Sequence, residues 1–121
     1  MSTRDQIKMK AALRASVKTG TGGGTGPTSP VISSLSSGVP NATDATITWT
    51  TDIASDSQVF WGLTTAYAGA TSPIMDFARV TSHSVTITGL TTATTYHYKV
   101  LSRSAATGGY VFSADQTFIT A

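Results

Sequence analysis

From Ala45 onward, apolar and polar residues alternate with a period of two. Ala45, Ile47 and Trp49 are interleaved with Thr46, Thr48 and Thr50, as in a strand with one face turned to a core. The pattern returns in Val59 and Trp61, in Val85 and Ile87, and in Tyr96, Tyr98 and Val100. Phe118 marks a last strand and Val31 to Leu35 a first one. Turn-rich stretches separate these runs at Ser37 to Thr43, Thr51 to Ser57, Gly62 to Pro73, Gly89 to Thr95 and Ala105 to Gly109. Roughly six or seven short strands over residues 31–121 predict an all-β fold, an antiparallel two-sheet sandwich.

The first 30 residues follow other rules. Met9, Leu13 and Val17 recur at i, i+4 and i+8, and Ala11, Ala12, Leu13, Arg14 and Ala15 are strong helix formers. Thr3 and Gln6 have capping-box spacing, and Asp5 falls in the first turn, where the helix dipole favours an acid. A short basic helix is therefore predicted over residues 1–18. Its apolar stripe is narrow, and a lone helix of about 15 residues is marginal in water, so the segment reads as a docking helix that needs a partner surface, with a frayed basic tail as the alternative. Residues 19–30, TGTGGGTGPTSP, read as a linker to the sandwich of residues 31–121. Gly22, Gly23 and Gly24 follow no strand and precede no GK[ST], which removes a phosphate cradle.

Composition sharpens this division. Charged residues make up 12% of the 121, all six acids are Asp, and Ser and Thr fill 38 positions, a balance that suits strands rather than helices. No Cys is present, so disulfides, thiolate metal sites and cysteine nucleophiles are all excluded. Residues 1–30 carry five cations against Asp5, a net +4; residues 31–121 carry Arg79, Lys99 and Arg103 against five Asp, a net −2. The basic character belongs to the N-terminal segment, and the body has no basic stripe for a nucleic-acid backbone. No apolar run approaches the roughly 18 residues of a membrane span. Nor do the first residues read as a secretory leader, so the chain as written is expected to remain where it is made.

Candidate chemistry is sparse. His83 lies between Ser82 and Ser84, without a nucleophile elbow or a neighbouring acid to orient it. His97, between inward Tyr96 and Tyr98, is expected to face solvent. Asp52 and Asp56 bracket DIASD, which offers too few oxygen ligands for Ca²⁺ and reads as turn-forming. No metal or cofactor is expected. Asn41, Ala42 and Thr43 form a glycosylation sequon, relevant only if the chain is secreted. Phe60 and Leu101 fall on the outward phase of their strands and are expected to form an exposed apolar pair near His97 and Lys99.

The body resembles a fibronectin type III domain. Members place a Trp on the second strand, as in ATITWTT with Trp49, and carry L-x-P-G-T-x-Y-x-[YV]-x-V, which LTTATTYHYKV matches at Leu90, Thr94, Tyr96, Tyr98 and Val100. Thr92 and Ala93 stand where Pro and Gly are common, which implies a looser turn in an intact register. The resemblance implies that Tyr96 is the tyrosine-corner residue, bonding back to nearby backbone, and that Leu90 plugs the sandwich end. SDSQVFWGLTTAY is similar to the third strand and following loop of variants in bacterial surface proteins, phage virion proteins and the front domain of some phosphatases. The fold hosts many functions, so it implies no activity by itself.

Together these features lead to the expectation of a non-enzymatic structural protein. Lys8, Met9, Leu13, Arg14 and Val17 would anchor it to a larger assembly while the immunoglobulin-like domain is displayed, as in a phage capsid decoration or head-fibre subunit of the virion. The alternatives are a secreted or cell-surface spacer that binds carbohydrate through Trp61, Phe60 or Tyr110, and a self-assembling homo-oligomeric filament subunit. Nucleic-acid binding by the N-terminal segment is the weakest, because that segment has no aromatics.

Overall fold

A computed structural model describes residues 28–121. The predicted anchor helix, with Lys8, Met9, Leu13, Arg14 and Val17, and the linker up to residue 27 lie outside the described residues. Six strands follow in order: β1 (Ile32–Ser36), β2 (Ala45–Gly62), β3 (Ile74–Ile87), β4 (Thr95–Arg103), β5 (Tyr110–Phe112) and β6 (Gln116–Ile119). Every pairing between them is antiparallel.

Two of these strands are too long for one layer, and they build both. The first half of β2 pairs with β1 on one side and with the second half of β3 on the other, from Ala45 opposite Ile87 to Thr50 opposite Ser82. The register then breaks between Thr50 and Ser57. Beyond the break, β2 pairs with the first half of β3, Gln58 opposite Met75, and with β4, Phe60 opposite Lys99. β5 and β6 lie end to end along the other edge of β4, β5 beside Leu101 to Arg103 and β6 beside Thr95 to Tyr98, and together fill one strand position. The result is a curled antiparallel sheet forming a three-stranded and a four-stranded layer. Ile47, Trp49, Val59, Trp61, Val85, Ile87, Leu90, Tyr96, Tyr98, Val100 and Phe118 fill the space between them, the inward set that the period-two pattern predicts.

The stretch from Thr51 to Ser57 corrects the sequence reading. It is no turn but the bend of a continuous β2. Its Ser, Thr and Asp residues resemble turn chemistry because the bend uses them in the same way, to bond backbone that the broken ladder leaves free. Thr51 and Ser55 both donate to the Ile53 carbonyl, at 2.9 and 2.8 Å. The strand expected around Val85 likewise begins much earlier, at Ile74, along the layer edge.

The corner follows the resemblance. Tyr96 Oη accepts a hydrogen bond from the Thr91 backbone N–H at 2.8 Å, and Leu90 is buried beside it. Ala93, standing where Gly is common, is held at φ 50° while its N–H donates to the Ala121 carbonyl. This corner and residues 119–121 lie at one pole of the sandwich. At the opposite pole Pro30 is fully buried, Thr107 Oγ1 donates to the Thr28 carbonyl at 2.7 Å, and Gly109 lies so close that a Cβ there would sit 2.7 Å from that oxygen.

Candidate functional site

The bend of β2 collects the buried polar groups. Asp56 is 1% exposed, yet its carboxylate is well supplied: the Arg103 N–H donates at 2.8 Å, Gln58 Nε2 donates at 3.1 Å, and Arg79 lies 3.6 Å away. It ties β2 to β4 and to the edge strand, rather than forming the turn expected for Asp52 and Asp56. Asp52 accepts from the Val31 N–H at 2.7 Å and holds the start of β1.

His83 is buried and stacked parallel on Trp49 at 4.8 Å. Its partners are not the flanking serines but Thr51 Oγ1, 2.9 Å from Nε2, and Ser57 Oγ, 2.7 Å from Nδ1. Thr51 directs its single proton to the Ile53 carbonyl, so it accepts from Nε2–H, and Nδ1 of the neutral ring accepts from Ser57. Burial pushes the imidazole below its ordinary value, and the Asp56 charge opposes that shift only in part. Ser57 is buried, and the second ring nitrogen meets a hydroxyl rather than an acid, so the pair lacks the reach and orientation of a nucleophile and base. It is a polar pin through the core.

The outer face of the four-stranded layer is different in kind. Register across β3, β2, β4 and β5 sets Met75, Gln58, Leu101 and Phe112 in one row, with Phe60 and Lys99 in the next. Lys99 Nζ stands 4.5 Å from the ring centre of Phe112, 4.9 Å from Tyr67 and 5.6 Å from Phe60. Tyr67 Oη donates to Asp115 at 2.7 Å, and His97 Nδ1 lies 2.9 Å from the other carboxylate oxygen. Burial first, and then Asp115, raises the Tyr67 phenol to about 12. The hydrogen bond from His97 is the largest of the effects that hold Asp115 below its usual value. His97 thus faces outward as expected, but in a pair with an acid 18 residues away.

The exposed apolar pair is corrected as well. Phe60 and Leu101 do lie on the outer face, but Leu101 is 9% exposed and Phe60 is half-buried against Phe112. The open rings are Phe77 on β3, 66% exposed, and Tyr110 and Phe112, 56% and 44% exposed, the last two from a strand too short to show alternation in the sequence. Trp61 is no stacking face either. The loop after β2 folds over it, with Gly69 so close that a Cβ would fall 2.5 Å from the ring. Gln58, Leu101, Arg103, Tyr110 and Phe112 line a shallow groove of about 380 Å³ on this face.

The outer face of the three-stranded layer carries hydroxyls alone along the paired runs. Thr46, Thr48 and Thr50 stand beside Ser82, Ser84 and Thr86, with Thr46 and Thr86 3.0 Å apart and Ser33 and Thr50 2.7 Å apart. No group of three or more His, Cys, Asp or Glu among the described residues could hold a metal ion.

Layer order, inward Trp49 and the Tyr96 corner define a fibronectin type III-like β-sandwich, whose distinctive chemistry lies on one outer face rather than in a cleft. Residues 30–120 match the family model for the purple acid phosphatase, N-terminal domain, and the chain belongs to that family. No curated protein matches the sequence.

Proposed function

We propose that this chain is a non-enzymatic structural and interaction protein, held on a larger assembly by its first residues and displaying the sandwich. The observation that carries this is the junction at residues 28–30. Burial of Pro30 and the Thr107 bond to Thr28 seat residues 28–30 on the body at the pole opposite the tyrosine corner, so the N-terminal segment is attached there. A net +4 N-terminal segment on a net −2 body separates an attachment element from a displayed one. In its finer form the assembly is a virion, built in the host cytoplasm, and the chain a capsid decoration or head-fibre subunit. That form rests on the resemblance of SDSQVFWGLTTAY to virion variants, a resemblance shared with bacterial surface proteins and phosphatase front domains; family membership favours no particular setting.

Sedimentation of the native protein through a density gradient tests it. Co-migration with a much larger particle, lost on deleting residues 1–27 or on Leu13→Asp, is the expected result. Migration as a small species with or without the segment overturns it. The deletion leaves Thr28 to Pro30 in place, so the sandwich keeps its seat.

A second reading, a secreted or cell-surface adhesion module, is favoured by the open Tyr110 and Phe112 rings beside Arg103.

A further inference from the structure

All three cations of residues 31–121, Arg79, Lys99 and Arg103, belong to the outer face of the four-stranded layer. Arg79 faces buried Asp56, and Lys99 is held among three rings. Arg103 is exposed at the rim of the groove, and the one contact of its residue with Asp56 is made by the backbone N–H. Leu101 forms the groove floor, Tyr110 and Phe112 supply ring surface set edge to face at 6.1 Å, and Gln58 adds a planar amide. Arg79 and Lys99 are offset by Asp56 and Asp115 on the same face, so Arg103 is the cation left to meet a ligand beside the rings, and its guanidinium selects an anionic group.

We propose that this groove binds a carboxylated polysaccharide, with a uronate ring stacked on Tyr110 and Phe112 and its carboxylate paired with Arg103. A pyranose ring has an apolar C–H face and a polar hydroxyl edge, which match an aromatic wall beside an amide and a guanidinium. The planar Arg fork fits a carboxylate through two parallel hydrogen bonds. A volume of about 380 Å³ holds one or two sugar rings and is too small for a docked helix. The chain's own N-terminal segment and an isologous second copy of this face are both disfavoured, since each would set cations against cations. This goes beyond the anchoring proposal and holds for either setting of display; it names a ligand class for the adhesion reading and shares that reading's dependence on the aromatic face.

Affinity electrophoresis of the full chain through gels containing polygalacturonate, dextran or poly-aspartate tests it. Retardation by polygalacturonate alone is expected, weakened about tenfold by Arg103→Gln and about fivefold by Tyr110→Ala, and unchanged by Thr48→Ala on the hydroxyl face. Both groove residues are exposed, so the variants keep the fold, and unchanged near-ultraviolet circular dichroism checks this. Equal retardation by poly-aspartate, or retention of polygalacturonate binding in both groove variants, overturns the proposal by reducing it to general charge attraction. Tyr110-dependent binding of dextran instead overturns the acidic ligand while sustaining adhesion. Absence of binding to every polymer overturns both, and neither result bears on attachment through residues 1–27.

Discussion

The two outer faces of the sandwich are built on the same alternation and end as different materials. On the three-stranded layer every outward position along the paired runs of β2 and β3 is Ser or Thr, β-branched or small, with hydroxyls that bond to one another and to water. The four-stranded layer sets rings, aliphatic chains and all the body's cations outward, with Lys99 laid over three of the rings and Arg79 beside Asp56. Both faces sit above the same core, so stability does not account for the difference. A solvated hydroxyl face meets the needs of folding, and the aromatic face carries more than folding asks.

Substitutions in the core and on the two faces are expected to differ widely in cost. The largest effect is expected beneath both faces: Trp49→Ala removes the ring that stacks on His83 and donates to Ser102 at 2.9 Å, costing about 3–5 kcal/mol in denaturant unfolding. Next comes Asp56→Ala, which strands the Arg103 N–H and frees Arg79 and Gln58, with a cost of about 3 kcal/mol that falls on the aromatic layer. Lys99→Leu, which keeps bulk but loses three cation–ring contacts, costs about 1 kcal/mol, since the ammonium is only half-buried. Thr48→Ala on the other face stays within about 0.5 kcal/mol. A Thr48→Ala cost as large as that of Lys99→Leu would show that the hydroxyl ladder is structural rather than solvated.

Acid sharpens the contrast further. His83 has a folded-state affinity for protons below that of the unfolded chain, so unfolding takes up a proton, and the stability present above about pH 6.5 declines as the pH falls below it. Asp115, held low by His97, adds a second loss only below about pH 4. Thermal melts are expected to show a falling Tm between pH 7 and 5 in the parent chain, and a much flatter profile, from a lower starting Tm, in His83→Gln. The same slope in both chains would remove His83 as its source. At the corner, Ala93→Gly relieves the positive φ and is expected to raise stability by a few tenths of a kcal/mol, the smallest effect of all.

Alternation around Trp49, Val85 and Tyr98 was enough to assign the sandwich and its inward residues, because burial on one face of a strand imposes its period directly on the chain. The Leu90 to Tyr96 corner was legible for the same reason: it is local. What the alternation does not encode is which outward residue stays outside. Leu101 and Phe60 have outward phase, yet β5 and the Lys99 stem cover them, and β5 is three residues long. Thr51 to Ser57 carries turn composition because bends and turns use the same side-chain bonds to backbone. Apart from Gln58, the partners of His83, Asp56 and Asp115 come from segments 18 to 48 residues away, and the tertiary fold alone brings them together. Fold class, core and the division of charge between N-terminal segment and body are thus legible along the chain. Only the tertiary structure decided which titratable groups are buried and which face is aromatic and cationic, since those depend on distances between strands that no local pattern records.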